Sequence, residues 1–146
     1  MIVDIQIVTT DLKLNIHGFS GTAINKDYGG TAIGLMDKMW NVIKANGIKN
    51  KGLNIWVYES NEKIFTGVEL DDNNSETGLE EKNILLTKYA YYKHIGPYSL
   101  IKQTGQNMVR ELKNRGFESS LPYIEIYGHW TNDESKLETE LLISLK

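Results

Sequence analysis

Apolar and polar residues alternate along "IVDIQIV" (2–8) and "LKLNIHGF" (12–19), the period-two signature of half-buried strands. From Tyr28 the period lengthens. Ile33, Met36, Met39, Trp40 and Ile43 fall on one face of a predicted helix, which Asn46-Gly47 stops through a left-handed residue. "LNIWVYES" and "IFTGVEL" then predict a β-hairpin. Residues 71–83, "DDNNSETGLEEKN", are rich in acids, Asn and turn formers and predict a linker. Next, "ILLTKYAYYKHI" predicts one long apolar-aromatic strand, broken by Gly96-Pro97, because proline fixes its own backbone and keeps the preceding residue out of a helix. Ser99 is either an N-cap or a plain turn residue. Ile101, Gly105, Met108 and Leu112 share a second helical face that ends at Gly116, and "PYIEIYG" and "LETELLISL" close the chain as a hairpin.

The order of elements repeats. The two helix stops, Gly47 and Gly116, are 69 residues apart, and the same offset carries Met39 to Met108, Ile43 to Leu112, Ile55 to Ile124 and Tyr58 to Tyr127. Further on, Thr66 matches Thr139 at an offset of 73, so the second hairpin holds extra residues and Gly67 is matched with Glu140. The pattern predicts a single α+β domain over 1–146. It contains two strand-helix-strand-strand units (about 1–70 and 84–146) related by a pseudo-two-fold. Their antiparallel sheets carry helices on one side and leave a groove between the units.

Composition narrows the function classes. A net charge of −3 without clustered Lys or Arg argues against direct nucleic-acid binding, which needs a basic face. With no cysteine there is no disulfide framework and no thiolate chemistry. His17, His94 and His129 lack ligand spacing, which predicts no metal site, and no phosphate-cradling loop or Ser-His-Asp set points to a cofactor or a hydrolytic triad. No run approaches a membrane span and the N-terminus lacks a basic signal region, so a cytoplasmic location is expected. Eight Tyr and three Trp exceed what a core of this size needs, and some are expected to line a cavity.

His94-Ile-Gly96-Pro97-Tyr98, a helix ending at a glycine, Glu125-Ile-Tyr127 and Thr139-Glu140-Leu141 stand in the order of a known pattern. In these the chain resembles the GyrI-like small-molecule-binding domain family over essentially its whole length. That family includes the effector-binding domains of AraC-type and MerR-type transcription activators and integron-associated proteins of the same kind. The resemblance implies two pseudo-symmetric units around a pocket for drug-like, often cationic, aromatic molecules, with an acidic residue inside. The chain departs from the family pattern where "LLISLK" lacks the usual proline after the last strand's apolar pair. It departs again where "HGFSGTAINKDYGG" replaces Gly-Pro-Tyr in the first half. At 146 residues no helix-turn-helix is expected beside the domain.

Alternation in "LETELLI" sets Leu137, Thr139, Leu141 and Ile143 apart from Glu138, Glu140 and Leu142. With the first set toward the helix, Glu140 is expected in the groove, where an unpaired carboxylate is costly to desolvate and attracts a cation. Tyr127 and Glu125, opposite Ile124 and Ile126, are expected beside it, with Trp56 at the matching position of the first half. Trp130 is expected either as a lid or against the sheet edge, Trp40 in the core, and either Tyr89 and Tyr91 or Ala90 and Tyr92 toward the groove. His94 is read as structural.

Three functions fit. The first is capture of an amphipathic, aromatic or cationic small molecule by a stand-alone domain. The second is hydrolysis of an electrophilic compound by Glu140 and Tyr127, a reaction known among relatives in the resembled family. The third is a protein-interaction role like that of the family's gyrase-inhibiting namesake, with the acidic segment 71–83 as the contact surface.

Overall fold

A computed structural model describes residues 4–71 and 77–146. Alternating segments become strands and the longer period becomes helices, in the order β1 Gln6–Val8, β2 Leu12–Thr22, α1 Tyr28–Asn46, β3 Ile55–Tyr58, β4 Lys63–Val68, β5 Glu80–Leu86, β6 Tyr89–Ile95, α2 Ile101–Asn114, β7 Ser119–Tyr127 and β8 Glu138–Leu145. Gly47 and Gly116 both take left-handed backbones, at φ 60° and 84°, where the two helices end. The fold is α+β, and the two repeats are β2-α1-β3-β4 and β6-α2-β7-β8.

Their sheets are not separate. β3 pairs antiparallel with β7, which merges both into one eight-stranded sheet ordered β1-β6-β8-β7-β3-β4-β2-β5. At that seam Trp56 lies directly opposite Glu125. These two residues are 69 apart, the offset that relates the helix stops, so the pseudo-two-fold axis passes between them.

The outer strands are exchanged. β1, which precedes the first repeat, pairs with β6 of the second, and β5, which precedes the second, pairs with β2 of the first. In a flat sheet β1 and β2 would stand six strand spacings apart, about 29 Å. Only Thr9–Asp11 joins them, a link that reaches no more than about 14 Å. Thr87 and Lys88 make the same crossing between β5 and β6. The sheet therefore curls until its edges approach, and the face it turns inward becomes a core of Leu14, Ile16, Ile55, Val57, Phe65, Ile84, Leu86, Tyr89, Ile124 and Leu142. On the outer face α1 packs Met39 and Ile43 against Phe19 and Val68, while α2 packs Ile101, Met108 and Leu112 against Ala90, Leu141 and Ile143.

Several expectations are corrected. The long strand of 84–95 is two strands, β5 and β6, which separate at Thr87-Lys88 because each pairs at a different edge of the sheet. Of the expected linker 71–83, residues 72–76 lie outside the described residues and 80–83 already belong to β5. Of the two readings of Ser99 the turn holds and the N-cap does not: it sits in a short 3-10 turn, Tyr98–Leu100, and α2 has no side-chain N-cap. Ile33 is not core but half exposed, because it lines the open cavity beside α1 while its neighbour Ala32 is buried. Across the hairpins the offset is 75, not 73. Ile55 faces Gly67 and its counterpart Ile124 faces Leu142, so Leu142 rather than Glu140 matches Gly67.

Candidate functional site

The seam between β3 and β7 lies in the gap between the two helices, with α2 reaching the near side of β7. α1 lies over β2 and β4, and α2 over β6 and β8, so the helices flank a cavity of about 1210 Å³ whose floor is the central strand pair. Strand parity decides which side chains reach it. Tyr123, Glu125 and Tyr127 alternate along β7 on the outer face, and register brings Tyr58 and Trp56 of β3 beside them. All five line the cavity.

Glu125 is the centre of the floor and only 5% exposed. Tyr58 and Tyr127 donate their hydroxyls to its Oε1, at 2.9 and 2.6 Å, and Tyr123 donates to Oε2 at 2.7 Å. Burial first, then the charge of Glu125 and the hydrogen bonds to it, push all three phenols well above their ordinary range. They therefore stay protonated donors at any assay pH. A carboxylate offers about four acceptor directions, and these three donors fill two on Oε1 and one on Oε2. Three neutral donors spread the negative charge without cancelling it. Among the described residues no lysine, arginine or histidine forms an ion pair with Glu125.

Aromatic rings extend from this centre along both repeats. Tyr58 contacts Tyr123 and Tyr28, with centroids 5.2 and 5.7 Å apart, and Tyr127 contacts Trp56 and Tyr98 at 4.9 and 5.5 Å. Tyr28 and Tyr98 each stand where a helix begins, and each meets one of the matched pair Tyr58 and Tyr127. The first half thus reproduces the aromatic position of Gly-Pro-Tyr without its sequence. Trp130, 72% exposed, lines the cavity and stands at its mouth.

Gly96-Pro97 positions Tyr98. Gly96 has φ 139°, a backbone that side chains resist, and its N–H donates to Leu137 O at 2.8 Å. His94 is buried behind this turn. Its Nε2–H donates to Pro97 O at 3.1 Å, since a carbonyl only accepts, and Nδ1 lies 3.0 Å from the Thr104 hydroxyl on α2. The imidazole thereby ties β6, the turn and the helix together. His94→Ala is expected to cost about 1–3 kcal/mol in urea unfolding, by stranding these partners. His94→Gln, which keeps a donor toward Pro97, should recover part of that.

Of the residues singled out from sequence, Glu125, Tyr127, Trp56 and Trp130 line one cavity, whereas Glu140, Tyr89 and Tyr91 do not. Glu140 lies opposite Ile126 and Lys93, on the face turned away from the helices; on that face Tyr89 belongs to the inner core and Tyr91 packs against it. Burial, then the charge of Glu140, raises the Tyr91 phenol, which marks the two as neighbours there. Glu140 and Tyr127 consequently do not assemble as a pair. The reason is that the helix-bearing face and the cavity-bearing face are the same face. Sequence reasoning missed Tyr58, Tyr123, Tyr28 and Tyr98 as site residues. Two signals were present: the offset matching Tyr58 to Tyr127, and the alternation Tyr123-x-Glu125-x-Tyr127. Trp40 is packed beside α1's core residues, and its indole N–H donates to Asn54 Oδ1 at 2.7 Å.

Among the described residues no helix is long and apolar enough to cross a membrane. Residues 4–146 match the family model described as the GyrI-like small molecule binding domain. No curated protein matches the sequence. Among solved structures, the C-terminal domain of EcmrR is similar at a TM-score of 0.76 and 13% identity, covering 99% of both chains. SAV2435 bound to tetraphenylphosphonium is similar at 0.63 and 16%, covering 100% of this chain and 94% of that one. An integron cassette protein of Vibrio cholerae is similar at 0.56 and 16%, covering 97% and 95%. At such identities the likeness is one of fold.

Proposed function

Because this chain belongs to the family of GyrI-like small molecule binding domains, we propose that its cavity captures lipophilic aromatic cations, with Glu125 as the counter-charge and the tyrosines and Trp56 as stacking walls. The observation that carries this reading is a buried carboxylate held by three phenols and, among the described residues, by no cation, in an aromatic cavity. A charge removed from water without a partner is costly. The phenols offset part of that cost and fix the carboxylate in place, so an entering cation meets a site that needs no rearrangement. Ring faces around the floor add cation–π attraction, which strengthens when water is expelled. SAV2435, which binds tetraphenylphosphonium, shares the fold and supports the choice of ligand class. EcmrR, whose C-terminal domain shares the fold, is found in a complex with DNA, which supports a regulatory use of ligand capture.

Thermal unfolding with tetraphenylphosphonium and with the neutral triphenylphosphine oxide tests the reading. At a hundredfold excess over Kd the cation should stabilise the protein by about 2.7 kcal/mol, and the neutral compound should do much less. Equal shifts for the two compounds would mean that charge is not what the cavity selects.

The interaction reading rested on the acidic segment 71–83, of which residues 72–76 lie outside the described residues.

A further inference from the structure

Two lysines line the cavity whose floor holds Glu125. Lys26, just before α1, and Lys102, in the first turn of α2, are exposed residues of its lining, and among the described residues neither has an ion-pair partner. Each stands where local rules disfavour it. Lys26 has φ 61° and follows Asn25 at φ 53°, two consecutive left-handed residues without a glycine. Such a backbone costs a side-chain-bearing residue energy and tends to be kept at functional sites. Lys102 lies in the first turn of α2, which holds no acidic residue, although the helix dipole favours negative side chains there. Local preferences that fail together around one cavity mark positions serving something other than the fold. Apart from Glu125 and the tyrosines, the other titratable groups of the lining are Asp27, whose Oδ1 accepts from Gly30 N at 3.1 Å to cap α1, and His129. The volume, about 1210 Å³, exceeds what a drug-sized ligand usually fills, leaving length for a molecule that spans floor to mouth.

From this we infer that the preferred ligand is amphoteric: an aromatic cation that also carries a separated carboxylate or sulfonate, its positive end at Glu125 and its negative end between Lys26 and Lys102. The inference rests on the cation-binding reading above and adds to it the second charge. It also reverses an expectation, since a cavity governed by Glu125 alone would reject a ligand carboxylate and favour the more lipophilic ester.

Rhodamine B and its ethyl ester share the xanthylium cation and differ in whether the pendant carboxylate is free. Fluorescence titration at neutral pH and low salt is expected to show rhodamine B bound about fivefold more tightly, a preference of the size that two exposed charges supply. The preference should shrink as salt is added. The double change Lys26→Met and Lys102→Met should invert it, making the ester the tighter ligand. Lys26→Gly, which suits the left-handed backbone, should lessen the preference without a folding defect to confuse the result. Equal binding of both dyes, or tighter binding of the ester to the unaltered protein, overturns the inference while leaving the cation reading in place. Failure of both dyes and of tetraphenylphosphonium to bind removes the cation reading and the inference together.

Discussion

Replacing Glu125 with glutamine is expected to weaken tetraphenylphosphonium binding by roughly a hundredfold while leaving the ligand-free protein as stable as before, or more stable. The two halves of this result have one cause. In the free protein Glu125 is a buried carboxylate held by three phenol donors and paired with no cation among the described residues. Its desolvation is only partly offset, and a neutral amide removes that cost. In the complex the ligand is the missing counter-ion, so removing the charge forfeits about 2–3 kcal/mol of a desolvated pair, which corresponds to the expected loss. Ring contacts remain, and residual binding should be weak rather than absent. Calorimetric titration gives the affinity and urea unfolding the stability. A variant that loses stability and keeps its affinity would show that Glu125 holds the fold together and does not recruit the ligand.

The second large effect concerns Gly18→Ala, which should cost about 3 kcal/mol, at the upper end for an overpacked site. Gly18 of β2 lies opposite Gly67 of β4, and the two backbones meet so closely that a Cβ at 18 would run into the carbonyl of Thr66. A flexible neighbour could swing aside, but a ladder carbonyl between paired strands cannot. For a chain of this length the melting temperature should fall by about 10 °C. Gly34 in α1 is the control. An added Cβ there meets nothing within 4 Å, so Gly34→Ala should stabilise by about 0.5–1 kcal/mol through helix propensity and a less free unfolded chain. Equal effects at the two positions would mean that β2 and β4 are not in such close approach.

The duplication was readable because helix stops, helix faces and strand alternation are local, and Gly47 with Gly116 anchored them. Trp56, Glu125 and Tyr127 were readable for the same reason: parity groups residues of one strand, and the 69-residue offset carries the grouping to the other half. Parity alone does not say which face holds a cavity. Glu140 would reach the groove only if the helices and the groove occupied opposite faces. The face it lies on is instead occupied by a core, because β1 and β5 cross to the far edges and curl the sheet. That crossing depends on pairings between distant segments and leaves no mark in a window of ten residues. The break at Thr87-Lys88 was hidden likewise, having neither glycine nor proline. Tyr28 and Tyr98 depend on where each helix starts above the sheet, a placement no periodicity records.

The exchange of outer strands also bears on what one half could do by itself. Each repeat borrows an edge strand from the segment that introduces the other, so a single half ends in an unfilled hydrogen-bonding rim. The carboxylate of one half faces an indole belonging to the other. Such a molecule resembles two garments sewn through each other's seams: an isolated half would seek a second copy to complete its sheet, and a homodimer of either half would present two acids or two tryptophans at the axis, never the unlike pair.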